Sequence, residues 1–505
     1  MDALRPGLEA LALRNGTPFY NAIVVIALTL AVYVASTWIY NVYFHPLAGF
    51  PGPLLARSGL LWRLYHSLNG RLHRSIQEQH KKYGPVFRVS SSELSFASVA
   101  SWKAIYGHAA PGQQSLPKSS FYDLYGAGFR KLCIGSERNP KVHARMRKSL
   151  SSAFSTKSLV EQESIVNGVV DKFIECLGRL GGKGSEGLNM TKWYEMFSFD
   201  SLGEMAFGES FRSLEDEKSH FWSDLILDHL YFITLADNLH RFPLLPTIAR
   251  TLFPSTLVVQ NRNSQYSRDM VEKRLARHSA RKDFLSTLVQ QYESGEMDKE
   301  ELAAHSSTLA IAGGETTATF LAATTFYLLR NPHCYDRLTK EIRGAFSSYD
   351  EINSMEAQKL PYLQAVIHEG LRIYPPGSQG FPRISPGLSI DGHYVPKGTE
   401  VYTSAWTVTH DETNFPEPMS FKPERWLDPH GPDIKEASQP FSLGPRGCIG
   451  RNFAHMQINL LVAKMLWSYN LELLTPEIDW EGQSKMYVMW WKPSVKVRFT
   501  PVVRA

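Results

Sequence analysis

The sequence predicts a mainly α-helical protein with small β-sheets, built as one large body behind a single N-terminal membrane helix. Three observations predict it. Residues 19–44 are mainly apolar and lie within a stretch, 15–56, that has no Asp, Glu, Lys or Arg. Helical patterns dominate from residue 60 to residue 346, and from Pro375 onward closely spaced Pro and Gly leave only short strands and loops. No repeat or shift of composition divides the chain after residue 54.

Composition excludes several classes. Lys plus Arg number 54 against 49 Asp plus Glu, an excess of +5 over 505 residues, which is too weak to mark a nucleic-acid binder. Neither a basic tail nor a zinc-type Cys/His cluster appears. With 43% hydrophobic, 12% aromatic and 20% charged residues, the chain is not disordered. Cys133, Cys176, Cys334 and Cys448 include no close pair, which argues against a disulfide framework and fits a reducing compartment.

The elements follow in order. A spanning helix needs about 20 apolar residues, and 19–44 is long enough, with Tyr20, Trp38, Tyr40 and Tyr43 near its ends where amphipathic rings prefer the interface. Its start lacks a clear positive region and its apolar run exceeds that of a signal peptide, so it reads as a retained anchor. Arg57, Arg63, Arg71 and Arg74 follow it, which places 1–18 on the lumenal side and the body in the cytosol. Asn15-Gly-Thr17 is then a lumenal glycosylation sequon close to the bilayer, and Asn189-Met-Thr191 a cytosolic one that stays unmodified. Residues 45–53, with Pro46, Pro51 and Pro53, read as a stiff hinge. Helices are expected at 60–83, 141–154, 164–180, 298–329 and 331–346. Asp298 with Glu301 reads as a capping box, and Asn331 as an N-cap ahead of Pro332. Strands are expected at 86–89, 389–390, 400–403 and 495–499.

The stretch that carries chemistry is Phe441-Ser-Leu-Gly-Pro-Arg-Gly-Cys-Ile-Gly450, ahead of a helical pattern at 451–466. Gly444, Gly447 and Gly450 permit tight turns and the close approach of a bulky group. Cys448 stands just before a helix N-terminus, which favours a thiolate. A metal ligand and a buried structural cysteine both satisfy this loop on its own.

Phe441, Gly444, Arg446, Cys448 and Gly450 match the FxxGxRxCxG signature, and here the chain resembles the cytochrome P450 superfamily, fungal microsomal members above all through HPLAGFPGP at 45–53. The resemblance implies the cytochrome P450 fold over 54–505, an endoplasmic-reticulum anchor, and Cys448 as axial thiolate ligand of haem b, pushing electron density toward O–O cleavage. It implies a structural charge network of Glu369 and Arg372 from the ExxR motif with Arg425 from Pro423-Glu-Arg-Trp426; pairing is required because an isolated buried charge costs several kcal/mol. Ala312-Gly-Gly-Glu-Thr-Thr317 resembles the oxygen-activation motif, with Glu315 and Thr316 as an acid–alcohol pair delivering protons. Its adjacent glycines, which cost about 1 kcal/mol each in a helix, are expected to let a flat cofactor approach and to kink the helix locally. His143, Arg147, Arg383 and Arg446 are the candidates for the haem propionates, with Phe441 also lining the cofactor.

The implied activity is monooxygenation of an apolar small molecule, probing toward fungal secondary metabolism by analogy, with electrons from NADPH through NADPH–cytochrome P450 reductase or cytochrome b5. Lys141, Arg145, Lys148, Arg337, Lys340 and Arg343 form a basic face for such a donor or an ordinary solvated surface. Substrate contacts are expected from 107–129, 221–253, 375–381 and around Tyr487, regions whose apolar composition core packing explains equally well. Two alternatives remain at this point: a haem-thiolate isomerase or dehydratase without O₂ activation, against which the Glu315–Thr316 pair speaks, and a non-catalytic haem sensor, which needs no proton relay. Cys133, Cys176 and Cys334 match no ligand motif and read as structural.

Overall fold

The computed structural model describes residues 18–109, 115–242, 255–277 and 282–503. The Asn15 sequon, residues 1–17 of the segment expected to be lumenal, and parts of the expected substrate regions (110–114 and 243–253) lie outside the described residues.

Helix α1 (Pro18–Tyr43) is long and apolar enough over Tyr20–Tyr43 to cross a membrane, and it is not buried in the rest of the chain. Its end is fastened to the body. The Asn41 amide donates to the Ser58 carbonyl at 2.9 Å, and Arg57 donates to the Val42 and Ala48 carbonyls at 3.0 and 3.2 Å. Pro51 accepts from the Arg88 amide at 2.8 Å, so the Pro-rich segment lies against the first strand.

The body then unfolds into helices α2 (Leu54–Ser58), α3 (Leu61–Leu68) and α4 (Leu72–Tyr83). The continuous helix expected at 60–83 is therefore broken. Gly70 adopts φ +67°, and a Cβ there would press on Lys485, because the Gly70 carbonyl receives the Met486 amide at 3.0 Å. A chain position some 400 residues away decides the break.

A four-stranded sheet follows. Val86–Ser90 pairs antiparallel with Glu93–Phe96, which runs parallel to Glu400–Thr403, which in turn pairs antiparallel with Arg383–Ile384. The expected strands at 86–89, 389–390 and 400–403 are present. The last strand is Lys496–Pro501, paired with Tyr469–Leu473.

The helical part consists chiefly of α5 (Pro140–Ser151), α6 (Met190–Ala206), α7 (Phe221–His240), α8 (Lys299–Leu329), α9 (Pro332–Ala345), α10 (Pro361–Ile373) and α11 (Arg451–Ser468). Most residues of α6 and α8 are buried, because both run through the principal core. That explains why α6 has no amphipathic stripe to read in the sequence. Asp298 caps α8 by accepting from the Glu301 amide at 2.8 Å, whereas the Glu301 carboxylate turns to Arg145 and His305, so only half of the expected capping box forms. Asn331 makes no side-chain cap; its amide donates to the Tyr327 carbonyl of α8 instead, and Pro332 alone starts α9.

The glycine pair of α8 packs against α6. A Cβ on Gly313 would lie 2.9 Å from Leu202, and one on Gly314 would lie 3.0 Å from Phe199. Both glycines admit α6 against α8, and α8 continues without a break from Lys299 to Leu329. At these two positions the structure shows packing against α6.

Candidate functional site

The 441–450 loop is shaped by its own backbone and by α5. The Cys448 amide donates to the Phe441 carbonyl at 2.8 Å, closing the loop. Gly444 has φ +65°, and a Cβ there would collide with the Tyr106 carbonyl oxygen, so the loop passes the 106–107 backbone at a distance only glycine allows. Arg147 of α5 donates to the Gly447 carbonyl at 2.6 Å. The Arg446 guanidinium donates to the Glu137 and Arg138 carbonyls at 2.9 and 2.8 Å. Phe441 stacks near His455 at 5.3 Å, with Arg451 over its ring.

Cys448 is accessible although protein atoms crowd around it. Burial pushes its thiol pKa up; hydrogen bonds from the Gly450 and Arg451 amides and the charges of Arg147 and Arg451 work in the opposite direction. The other three cysteines are buried. Cys334 lies with His333 and Glu424 in a cluster of ligand-type atoms, but Glu424 is engaged by Arg337 at 3.3 Å and by the Tyr362 hydroxyl at 2.6 Å.

Beside the loop is a cavity of about 370 Å³ lined by Tyr106, His143, Arg147, Arg383 and Arg446 among others. The structure thus gathers all four of the expected basic residues around one space. Close to these cations, though not lining the cavity, is one that sequence reasoning missed, Lys118, whose buried ammonium donates to the Ile134 and Gly135 carbonyls at 2.9 and 2.6 Å. A lysine in a loop, with no motif around it, gave no signal. Arg383 donates to the Tyr122 hydroxyl and lies over the rings of Tyr106 and Tyr122. The cluster is electrostatically strained. Burial, then Arg446 and Arg383, push Lys118 down to about 7. Burial, then Lys118, Arg446, Arg147 and Arg383, push His143 down to about 3, so His143 is neutral here and offers a hydrogen bond rather than a charge. Burial and Arg383 lower Arg446 to about 10. A dianionic group placed among these cations would relieve the repulsion, and a haem with two propionates has that charge. An accessible sulfur in a closed loop, with a cation cluster lining the cavity beside that loop, fits haem.

On α8, Ala312 is exposed while Ile311, Gly314 and Glu315 are buried. Thr308, Ala312 and Thr316 follow at helical spacing and are the less buried positions, so they share the face of α8 that borders an open space. The Thr316 hydroxyl donates to the Ala312 carbonyl at 2.7 Å. Glu315 lies about 100° round the helix from Thr316 and is buried. Its carboxylate is held by the Lys492 ammonium and by the Thr319 hydroxyl at 3.1 Å. Burial raises its pKa, Lys492 lowers it and Glu195 raises it, with a net upward shift. Glu315 and Thr316 are thus neighbours in sequence whose side chains have different partners.

Glu369, Arg372 and Arg425 are brought together. Arg372 grips Glu369 through two bonds of 2.8 Å, Arg425 adds one at 3.2 Å, and the Lys422 amide and Trp426 indole add two more at 2.8 and 3.0 Å. Arg372 reaches on to the Thr409, Pro418 and Ser420 carbonyls, and Arg425 to Asp433. Helix α10 is thereby tied to the segment that leads into the cysteine loop. Of the expected basic face, Arg145 pairs with Glu301, Arg337 with Glu424, and Arg343 donates to the Leu466 and Tyr469 carbonyls. Lys141, Lys148 and Lys340 are exposed.

Comparison with known proteins agrees with this geometry. A family profile described as Cytochrome P450 matches residues 51–499. The "Cytochrome P450 monooxygenase ORF9" of Penicillium roqueforti (strain FM164) is 59% identical over 478 residues, covering 95% of this chain and 94% of that protein. The "Cytochrome P450 monooxygenase BOT4" of Botryotinia fuckeliana is 54% identical over 499 residues, covering 99% and 94%. "Cytochrome P450 monooxygenase BOA3" of Botryotinia fuckeliana (strain B05.10) is 35% identical over 505 residues, covering 98% of each. A helical body with small sheets, a lone sulfur above a buried charge network, and matches along nearly the whole chain have one common explanation: the protein belongs to the cytochrome P450 family.

Proposed function

We propose that the protein is a membrane-anchored haem-thiolate monooxygenase that inserts one oxygen atom from O₂ into an apolar small molecule and releases the other as water. The observation that carries this is Cys448, closed into its loop by Phe441 and left accessible, with a cation cluster lining the cavity beside that loop. Cys448 would bind the haem iron. Arg147, Arg383 and Arg446 would hold the propionates, with His143 and Lys118 as hydrogen-bond donors. Bound there, haem would supply the reduction and cleavage of O₂, using two electrons that originate in NADPH.

The chain's own residues would do the rest. The Gly450 and Arg451 amides and the charges of Arg147 and Arg451 offset part of the cost of burying a thiolate at Cys448. Glu369, Arg372 and Arg425 keep the cysteine loop rigid. Thr316 would present its hydroxyl to the open face of α8, and Glu315 would resupply the proton, directly or through one water. The relatives' names support monooxygenation over isomerisation. Helix α1 would anchor the enzyme in the endoplasmic reticulum with 1–18 lumenal and the catalytic body cytosolic. NADPH–cytochrome P450 reductase, with cytochrome b5 as a second donor, would dock on the basic face of α5 and α9. The fungal relatives favour a role in secondary metabolism.

The test is spectroscopic and chemical. Reduced protein under carbon monoxide is expected to show the absorption of a thiolate-ligated ferrous haem, and Cys448→Ser to abolish it. Thr316→Ala is expected to keep that absorption while product per NADPH falls on the order of 10²-fold. Unchanged product yield would refute the role of Thr316.

A further inference from the structure

Glu315 is not isolated behind α8. Lys492, whose side chain is 1% exposed, bonds to Glu315 and lies 3.2 Å from the Thr319 hydroxyl and 3.6 Å from the Glu195 carboxylate of α6. The other oxygen of Glu195 meets Lys192 at 2.9 Å, and Lys192 lies 3.8 Å from Asp224 of α7. Exposure rises outward along this series: Glu315 1%, Glu195 5%, Lys192 43% and Asp224 63%. Carboxylate and ammonium alternate from the middle of the buried helix to solvent. They come from α6, α7, α8 and the segment after the C-terminal hairpin, elements that share no sequence neighbourhood.

We propose that Lys492 and Glu195 are positioning residues that form the proton-entry path to Glu315, with its mouth at Lys192 and Asp224. The inference rests on the acid–alcohol reading of Glu315 and Thr316. Each proton that Glu315 releases toward the Thr316 face of α8 must be replaced from outside. Lys192 passes a proton to Glu195 and is reprotonated from solvent, while Lys492 passes one to Glu315 and is reprotonated by Glu195, after which the series holds its starting charge. The 3.6 Å gap between Lys492 and Glu195 is the step at which Lys492 must move, so this lysine sets when Glu315 is coupled to solvent. A buried ion pair that served stability alone would need only Lys492; the second carboxylate beyond it raises the pKa of Glu315 and weakens that pair.

The test compares Glu195→Gln, Lys492→Met and Lys492→Arg in the full-length holoenzyme. In resting enzyme, at a pH where Glu315 is protonated, its carboxyl band is assigned by infrared difference spectroscopy through its loss in Glu315→Gln. Exchange of that proton after mixing with D₂O is then timed. Slower exchange, by about tenfold, is expected in Glu195→Gln and Lys492→Met, with near wild-type exchange in Lys492→Arg. In turnover, the first two are expected to divert NADPH to hydrogen peroxide and to raise the solvent isotope effect, with the carbon monoxide absorption intact. Wild-type exchange and coupling in both variants, while Thr316→Ala uncouples, would overturn the path and leave the acid–alcohol pair standing. Wild-type coupling in Thr316→Ala as well would bring down both.

Discussion

Glu369 and Glu315 are the same residue type, equally buried and each held by a cationic side chain, yet the protein treats them in opposite ways. Glu369 receives five hydrogen bonds from Arg372, Arg425, Trp426 and the Lys422 backbone, and its pKa is lowered despite burial. Glu315 has Lys492 and Thr319, with Glu195 nearby to oppose ionisation, and its pKa is raised. The donors around a buried carboxylate, not burial itself, decide whether it is locked as an anion or poised to exchange a proton. A saturated network suits a structural tie beneath a ligand loop. An undersaturated one suits a relay.

The largest expected effect would break the saturated network. Glu369→Gln leaves Arg372 buried without its anion and Arg425 with Asp433 alone, which costs about 3–5 kcal/mol. Loss of haem retention and a lowered melting temperature are expected, while Glu315→Gln, which leaves Lys492 the Glu195 carboxylate at 3.6 Å, should cost less. Equal losses in the two variants would erase the distinction. The linkage signs also differ. The stability from Glu369 is present above pH 4.5 and fades as pH falls through its lowered folded pKa. That from Glu315 is present below 4.5 and fades as pH rises through its raised one.

A second prediction concerns neutral buried bases. Burial lowers His229 of α7 from 6.5 to about 4, so the folded state refuses a proton that the unfolded state takes up. Stability is then fully present above pH 6.5 and declines as pH falls toward 4, by roughly 3 kcal/mol from this residue. His229→Leu should flatten that part of the pH–stability curve measured by denaturant unfolding, and an unchanged slope would count against it. A smaller effect is expected at the α6–α8 seam. Gly314→Ala brings a methyl group against Phe199 at a cost of about 1–3 kcal/mol, partly offset by about 1 kcal/mol of helix propensity. The carbon monoxide absorption should not change, because the methyl group faces α6.

The 441–450 signature, the ExxR motif and the α8 motif were legible because each is a short contiguous string that resembles a family motif; the residue types of the cysteine loop alone left a metal ligand and a structural cysteine both open. Lys118, Glu195 and Lys492 were not, since ordinary charged residues acquire meaning only from what lies opposite them. Helix α6 escaped for a related reason: a segment buried on every side carries no periodicity. The break at Gly70 and the role of Gly313 and Gly314 depended on Lys485, Leu202 and Phe199, partners that no local pattern names.

By itself the sequence determined the membrane-length helix, the family and the sulfur at position 448, because these depend on composition and on contiguous order. Only the tertiary structure decided which cations surround the cofactor space, which carboxylate is saturated, and how Glu315 reaches the surface. Those properties are sums of short-range electrostatic and steric terms between residues hundreds of positions apart, and they have no value until the chain is folded.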